Sequence, residues 1–356
     1  MKKQYLIGLT VILGLFSSCK KDDKNDSGTT EVTTGVYVLS EGNFNQKNTT
    51  LTYYSFTTNT PVTDIFKNVN GNGLGDTGND ILLYGGKMYI VMNVSSYVQV
   101  AEAGTAKAIK RIEFEITPGG TKRLPRYALP YKNKVLVSSF DGTVAVIDTA
   151  TLSVEKWITV GANPDGMAIS GNKLYVANSG GFNPEFDSTL SVVDLSSYTE
   201  TLKIKVGLNP GSVAADNSGN VYVACTGNYD NVKAKLVKVN TSTNTVVKSA
   251  DTAVGKIRYY NGLLYTTGGY LGSAYVRTLS TENFTATRAN FVTDGTVITL
   301  PYGINVDEEN GDVYVTDSKD YSSSGVVFCF DKTGKKKFSF SVAPGTNPNT
   351  VALIKK

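Results

Sequence analysis

The chain of 356 residues has no histidine, a single tryptophan and three cysteines. Each shortage closes off a class of function. Without imidazole it lacks the commonest general base, the commonest metal ligand and every Ser/His or Cys/His nucleophile pair, so acid–base work would fall to carboxylates. Two of the cysteines, Cys225 and Cys329, lie in strand-like runs, Val221 to Cys225 and Val326 to Phe330. They read as buried free thiols in preference to a disulfide. Beyond the first residues no segment keeps a helical period or ends like a capped helix, so almost no α-helix is expected. A net charge of +4 is slight for this length and forms no basic stripe, so nucleic acid is not an expected partner. No Gly-rich phosphate loop precedes a helix, which leaves nucleotide hydrolysis without support.

What the chain does have is a repeat. Asn163-Pro164-Asp165-Gly166 opens a short strand, Gly166 to Ser170, and Gly171-Asn172 makes a tight hairpin turn. The strand Leu174 to Asn178 follows, and Leu190 to Asp194 and Thr201 to Val206 supply two more before Asn209-Pro210-Gly211 restarts the unit. The aromatic-bearing second strand recurs as Val36-Tyr37-Val38, Met88-Tyr89-Ile90, Val135-Leu136-Val137, Val221-Tyr222-Val223, Leu264-Tyr265-Thr266 and Val313-Tyr314-Val315. Seven four-stranded units of roughly 40–50 residues are a β-propeller. A β-helix needs shorter repeats, and a sandwich would not restart the same pattern so often. The first tyrosine strand has no partner before it. Asn347-Pro348-Asn349-Thr350-Val351-Ala352-Leu353 at the far end supplies one. The fold expected is therefore all-β, a seven-bladed β-propeller over residues 35–356, closed by pairing of the N- and C-terminal segments in one blade.

Ahead of the propeller, residues 1–18 read as a targeting segment. Lys2 and Lys3 precede a largely apolar run, Tyr5 to Phe16, too short for a span of ~20 residues. Leu15-Phe16-Ser17-Ser18-Cys19 resembles a bacterial lipobox, with Phe16 where an aliphatic residue is usual. Cys19 would then carry the lipid; the alternative is an ordinary secretory signal with a stray cysteine. Residues 19–34 read as anchor and flexible tether. Lys20-Lys21-Asp22-Asp23 within it resembles the signal that sends Bacteroidetes lipoproteins to the outer face of the outer membrane, which implies a lipid-anchored protein facing the cell exterior.

Carboxylates offer little chemistry. Asp148 and Asp194 each end a third strand, and Asn240 takes the equivalent place, so Asx-turns explain all three. In Asp307-Glu308-Glu309-Asn310-Gly311-Asp312 the Asn-Gly pair between strands signals a hairpin, and the spacing does not match an EF-hand loop. Lys335-Lys336-Lys337 reads as an exposed turn in the last blade.

The loops between second and third strands, together with the connections between blades, gather on one side of a propeller. Here they are long and carry rings and amides: Phe44, Tyr97, Phe140, Asn178, Phe182, Phe186, Tyr229, Tyr270 and Tyr321, with Arg126, Arg258 and Tyr302 between blades. Asn163, Asn209 and Asn347 at the blade starts read as turn closers. Turns do not need rings, so the aromatic tips are candidate ligand contacts, suited to a large ligand with apolar faces and a polar rim. No catalytic or metal-ligating residue is assigned, and no cofactor is expected as a catalyst.

The unit Asn-Pro-x-Gly…Leu-Tyr-Val-Ala-Asn resembles the YncE-type bacterial propellers. The opening Val36-Tyr37-Val38-Leu39-Ser40-Glu41-Gly42-Asn43-Phe44 and the closing Asp312-Val313-Tyr314-Val315-Thr316-Asp317-Ser318-Lys319-Asp320-Tyr321 are similar to the BtuG-type surface lipoproteins of Bacteroides. That resemblance implies a non-enzymatic lipoprotein that captures vitamin B12 (cobalamin) and related corrinoids and hands them to a TonB-dependent outer-membrane transporter of the BtuB type. Two other classes stay open: a surface scaffold for protein or glycan contacts, and a lyase or glycosidase using Asp or Glu on the same face.

Overall fold

A computed structural model describes residues 32–181, 183–269 and 273–356. It contains seven four-stranded antiparallel sheets arranged as the blades of a propeller. The blades span residues 33–62, 78–113, 125–159, 164–205, 210–250, 257–288 and 301–346, and the last strand, Pro348–Lys355, is the innermost strand of the first blade. It pairs with Thr33–Ser40 from Thr33↔Lys355 to Ser40↔Pro348. The expected terminal closure is thus observed. One α-helix, Ile65–Asn70, breaks the all-β pattern among the described residues. It buries only Phe66, too few apolar positions to leave a helical period in the sequence. The innermost strand of the fourth blade begins at Pro164, two residues before the expected Gly166.

The core is a ring of seven apolar layers, one between each pair of neighbouring blades. The recurrent tyrosine explains how the repeat builds it. Tyr37, Tyr89, Tyr175, Tyr222, Tyr265 and Tyr314, with Leu136 in the third blade, occupy the same place in each second strand and pack onto the following blade. Burial of such a side chain stabilises by about 1.5–3 kcal/mol, so the repeat is a repeat of interfaces. Outermost strands face solvent, as in Ala108–Glu113, where only Ile112 is buried.

The Asx and hairpin readings hold, but of Lys335-Lys336-Lys337 the last two begin the strand Lys336–Thr346 instead of a turn, and Lys337 pairs with Asp312. Asp148 Oδ1 accepts from the amides of Ala150 and Thr151 at 2.9 and 2.8 Å. Asp194 Oδ1 accepts from Ser196 and Ser197 at 2.6 and 3.3 Å, and Asn240 Oδ1 from Ser242 and Thr243 at 3.0 and 3.1 Å. The Lys134 ammonium and these amides hold the Asp148 carboxyl below the usual carboxylate range. Asp307 closes its hairpin by accepting from the Gly311 amide through its carbonyl at 2.7 Å. Among the described residues no cluster of three or more His, Cys, Asp or Glu could hold a metal ion. Cys225 and Cys329 are free and buried, and burial pushes both thiols up to about 12. Asn163, Asn209 and Asn347 have φ of 45°, 54° and 55°, the left-handed region that asparagine tolerates before a proline strand.

Candidate functional site

The loops after the second strands and the connections between blades meet at one end of the ring. In six blades the first residue of the loop donates its amide to the connection: Glu41 to Asn347, Asn93 to Thr77, Phe140 to Leu124, Ser179 to Asn163, Thr226 to Asn209 and Ser318 to Leu300, at 2.8–3.1 Å. This end is the loop face. The opposite end, where innermost strands turn into second strands, is mostly closed by two-residue turns such as Gly85-Gly86, Lys132-Asn133 and Gly171-Asn172.

The floor of the loop face is built by a bulge. In each of five blades the strand register shifts just after the first residue of the innermost strand. The next residue is left out of the ladder, in the third and fourth blades together with the one after it (Tyr127 and Gly166): Asn79, Arg126, Asp165, Tyr302 and Asn349. Bulges re-aim side chains near sites, and these five residues form one hydrogen-bonded arc. Tyr302 donates its hydroxyl to Glu41 Oε2 at 2.9 Å, and Asn349 donates its amide to Glu41 Oε1 at 2.7 Å and to the Asn79 carbonyl at 2.8 Å. Asn79 donates to the Arg126 carbonyl at 2.6 Å and accepts from the Arg126 guanidinium. Arg126 Nε continues the arc to Asp165 Oδ1 at 3.1 Å. Lys256 joins from the sixth blade, donating to the Asn349 carbonyl at 3.1 Å. The fifth blade has Gly211 at the bulge and adds no side chain.

Burial shapes the electrostatics of this floor. It opposes the Arg126 charge, but Asp165, Tyr127 and Glu41 outweigh it and hold the guanidinium above its ordinary range. Burial pulls the Lys256 ammonium down to about 8 and, with Glu41, pushes the Tyr302 hydroxyl up. Both carboxylates of the arc are engaged, Glu41 by Tyr302 and Asn349 and Asp165 by Arg126. The arc therefore presents fixed polar groups rather than a poised acid–base pair.

Above the floor stand rings. Phe44 is 70% exposed, Tyr229 80% and Tyr321 42%. Phe186 meets Tyr229 edge to face with centroids 6.2 Å apart, and Tyr302 meets Tyr321 in the same way at 5.9 Å. The Arg126 guanidinium lies 4.5 Å from the Phe140 ring centroid. Tyr229 and Tyr321 sit at φ of 60° and 63°, a conformation rare for residues with large side chains.

Three of the expected contacts are placed away from the loop tips. Tyr97 is 5% exposed, packed in the layer between the first two blades, and its hydroxyl donates to the Leu74 carbonyl. Its place at the first residue of a third strand, Tyr97–Glu102, explains the misreading as a loop ring. Asn178 is fully buried. It accepts from the Gly161 amide at 3.1 Å and donates to Thr189 and Ser191 at 2.9 and 2.8 Å, which pins the loop rather than a ligand. Arg258 lies on the strand Ile257–Tyr260, paired in register with Tyr265, and lines the central channel. Phe182, Tyr270 and Cys19 lie outside the described residues.

Sequence reading missed Glu41, Asn79, Asp165, Lys256 and Asn349. For Asn79, Asp165 and Asn349 the signal was a polar residue at the second place of an innermost strand; Glu41 directly follows a second strand and Lys256 directly precedes an innermost one.

Solved structures share the architecture at low identity. A quinonprotein alcohol dehydrogenase-like protein from Bacteroides thetaiotaomicron superposes with a TM-score of 0.69 at 13% identity, over 91% of this chain and 79% of its own. BamB from Moraxella catarrhalis superposes with a TM-score of 0.52 at 16% identity, over 75% of this chain and 76% of its own. Hydrazine synthase from Kuenenia stuttgartiensis gives 0.52 at 16% identity, over 70% and 74%. These likenesses show the propeller fold. No curated protein matches the chain. Residues 34–347 match the family described as a domain of unknown function, DUF5074, and the chain belongs to that family.

Proposed function

We propose that this protein is a non-catalytic binding propeller whose loop face captures cobalamin and related corrinoids. In this reading Cys19 carries a lipid that anchors it at the outer membrane, facing the cell exterior, and the ligand passes to a TonB-dependent transporter. The observation that carries the reading is the pair of exposed tyrosines, Tyr229 and Tyr321, held at positive φ on loop tips where glycine or asparagine would close the turn more easily. Strained, exposed rings point to a role other than folding. A corrin has apolar faces and a rim of amide side chains. Rings at the loop tips would meet the faces, and the arc from Tyr302 to Asp165 would meet the rim through many modest hydrogen bonds in a preformed site.

Histidine is absent, so the protein has no imidazole to place on cobalt. Upper-ligand variants should bind with similar affinity, and the visible bands should shift only slightly. The test is direct: protein incubated with cyanocobalamin and then desalted should elute pink, with a spectrum close to that of the free vitamin. Colourless protein would reject the corrinoid reading, and a spectrum showing a protein atom on cobalt would reject its mechanism.

A further inference from the structure

The central channel has a chamber that the loop-face reading does not use. On the hairpin side of the bulges, the seven innermost strands enclose a cavity of about 710 Å³, within the range of small-molecule sites. Much of its wall is apolar, with Leu82, Leu129, Ile169, Val306 and Leu353 supplied by five different blades. Of the arc only Lys256 is part of this wall; Glu41, Asn79, Arg126, Asp165, Tyr302 and Asn349 are not and lie at its loop-face end.

Lys256 and Arg258 both line the cavity. They stand two residues apart, Lys256 immediately before the strand Ile257–Tyr260 and Arg258 on it. Among the described residues no carboxylate lies within ion-pair distance of either. The Lys256 ammonium donates to the Asn349 carbonyl at 3.1 Å. The Arg258 guanidinium, a fork of five N–H donors, reaches the Ile257 carbonyl at 3.3 Å. Asp80 lines the same chamber but is engaged, accepting from the Ala128 amide at 2.9 Å and the Thr350 hydroxyl at 3.4 Å. Two cations with spare donors therefore face an apolar chamber against one occupied carboxylate. At the hairpin rim Lys355 pairs with Glu309 at 3.1 Å, and Glu308 also lines the cavity there.

We propose that this chamber is a second binding site, for a small organic anion with an apolar body, a carboxylate-headed amphiphile. Its head rests on Arg258 and Lys256, and its body runs along Leu129, Ile169 and Leu353 toward the hairpin face. Lys256 touches both sites, through its bond to Asn349 in the arc and its place in the chamber wall, whereas the loop-tip rings are not part of that wall.

Calorimetry with decanoate and 1-decanol, both below their aggregation limits, tests this on the full chain at pH 7. One decanoate should bind per chain, with decanol at least about tenfold weaker, the loss expected when a charge-assisted contact is removed. Arg258→Gln should weaken decanoate by a similar factor and leave decanol unchanged, while joint replacement of Phe44 and Tyr229 by Ala should change neither. If Arg258→Gln does not fold, the comparison of the two probes on the unaltered protein still decides. Absence of decanoate binding, equal affinity for decanol, or full decanoate affinity in folded Arg258→Gln would overturn the proposal.

Discussion

The tyrosines of the second strands and those of the loop tips are one residue type under opposite constraints. Tyr89, Tyr175 and Tyr222 are fully buried between blades, whereas Tyr229 is 80% exposed. A third set sharpens the contrast. Leu152 and Phe284, in the outer hairpins, share the left-handed backbone of Tyr229 and Tyr321, with φ of 53° and 64°. That conformation costs roughly 1–2 kcal/mol for a residue with a side chain. At Leu152 and Phe284 burial to 6% and 5% exposure offsets the strain, but an exposed ring returns much less. The difference separates rings that hold the fold from rings the fold tolerates.

The largest test of that division removes a whole interface. Deleting residues 349–356 takes away the strand that lies against both neighbouring layers of the first blade and leaves an open edge. The expected result is no cooperatively folded monomer by size exclusion and thermal melting; a truncated chain that melts like the parent would break the closure account. Next comes a single buried ring. Tyr222→Ala should cost about 3–5 kcal/mol, as large-to-small changes of buried rings do, read as a lower urea midpoint.

Alkali probes the same set. Burial raises the Tyr37 and Tyr175 hydroxyls to about 12, against about 10 for an unfolded tyrosine. Between these values the folded chain holds more protons than the unfolded one. Their contribution to stability is complete below pH ~10 and is lost as pH rises toward ~12. Urea midpoints from pH 8 to 11.5 should be flat and then fall, and Tyr175→Phe should make the fall shallower.

Smaller effects separate the hydroxyls. Tyr89 Oη is buried without a partner, so Tyr89→Phe should be neutral or slightly stabilising. Tyr222→Phe removes the bond to Asp216 at 2.8 Å and should cost about 1 kcal/mol. Equal losses in both would contradict these assignments. The smallest change in stability is expected at the tips. Joint replacement of Phe44, Tyr229 and Tyr321 by Ala should move stability by no more than about 0.5 kcal/mol per site, while cyanocobalamin binding weakens at least tenfold. A stable variant with unchanged binding would show that these rings are not the contact.

The blades were legible because each layer of the core needs the same apolar tyrosine strand, and a need that recurs leaves a period in the sequence. Terminal closure was legible for the same reason, since Pro348 to Leu353 copies Pro164 to Ile169 in pattern. The floor was not, because a one-residue register shift decides which side chain leaves the ladder. Nothing in Pro125-Arg126-Tyr127 says which of the last two will join the arc. Tyr97 and Asn178 misled because they sit at strand ends, where one residue of misplacement exchanges a loop tip for the core. Arg258 was read as a connection between blades, but it lies within the strand Ile257–Tyr260 and lines the channel.

The closing strand also sets an order of assembly. Thr33 pairs with Lys355 and Ser40 with Pro348, so the other three strands of the first blade keep an unpaired edge until the closing strand docks. During that interval the edge is open to strands of other chains. Long-range pairing of this kind is intrinsically slow, so molecules still folding are most exposed to mispairing just before the ring closes.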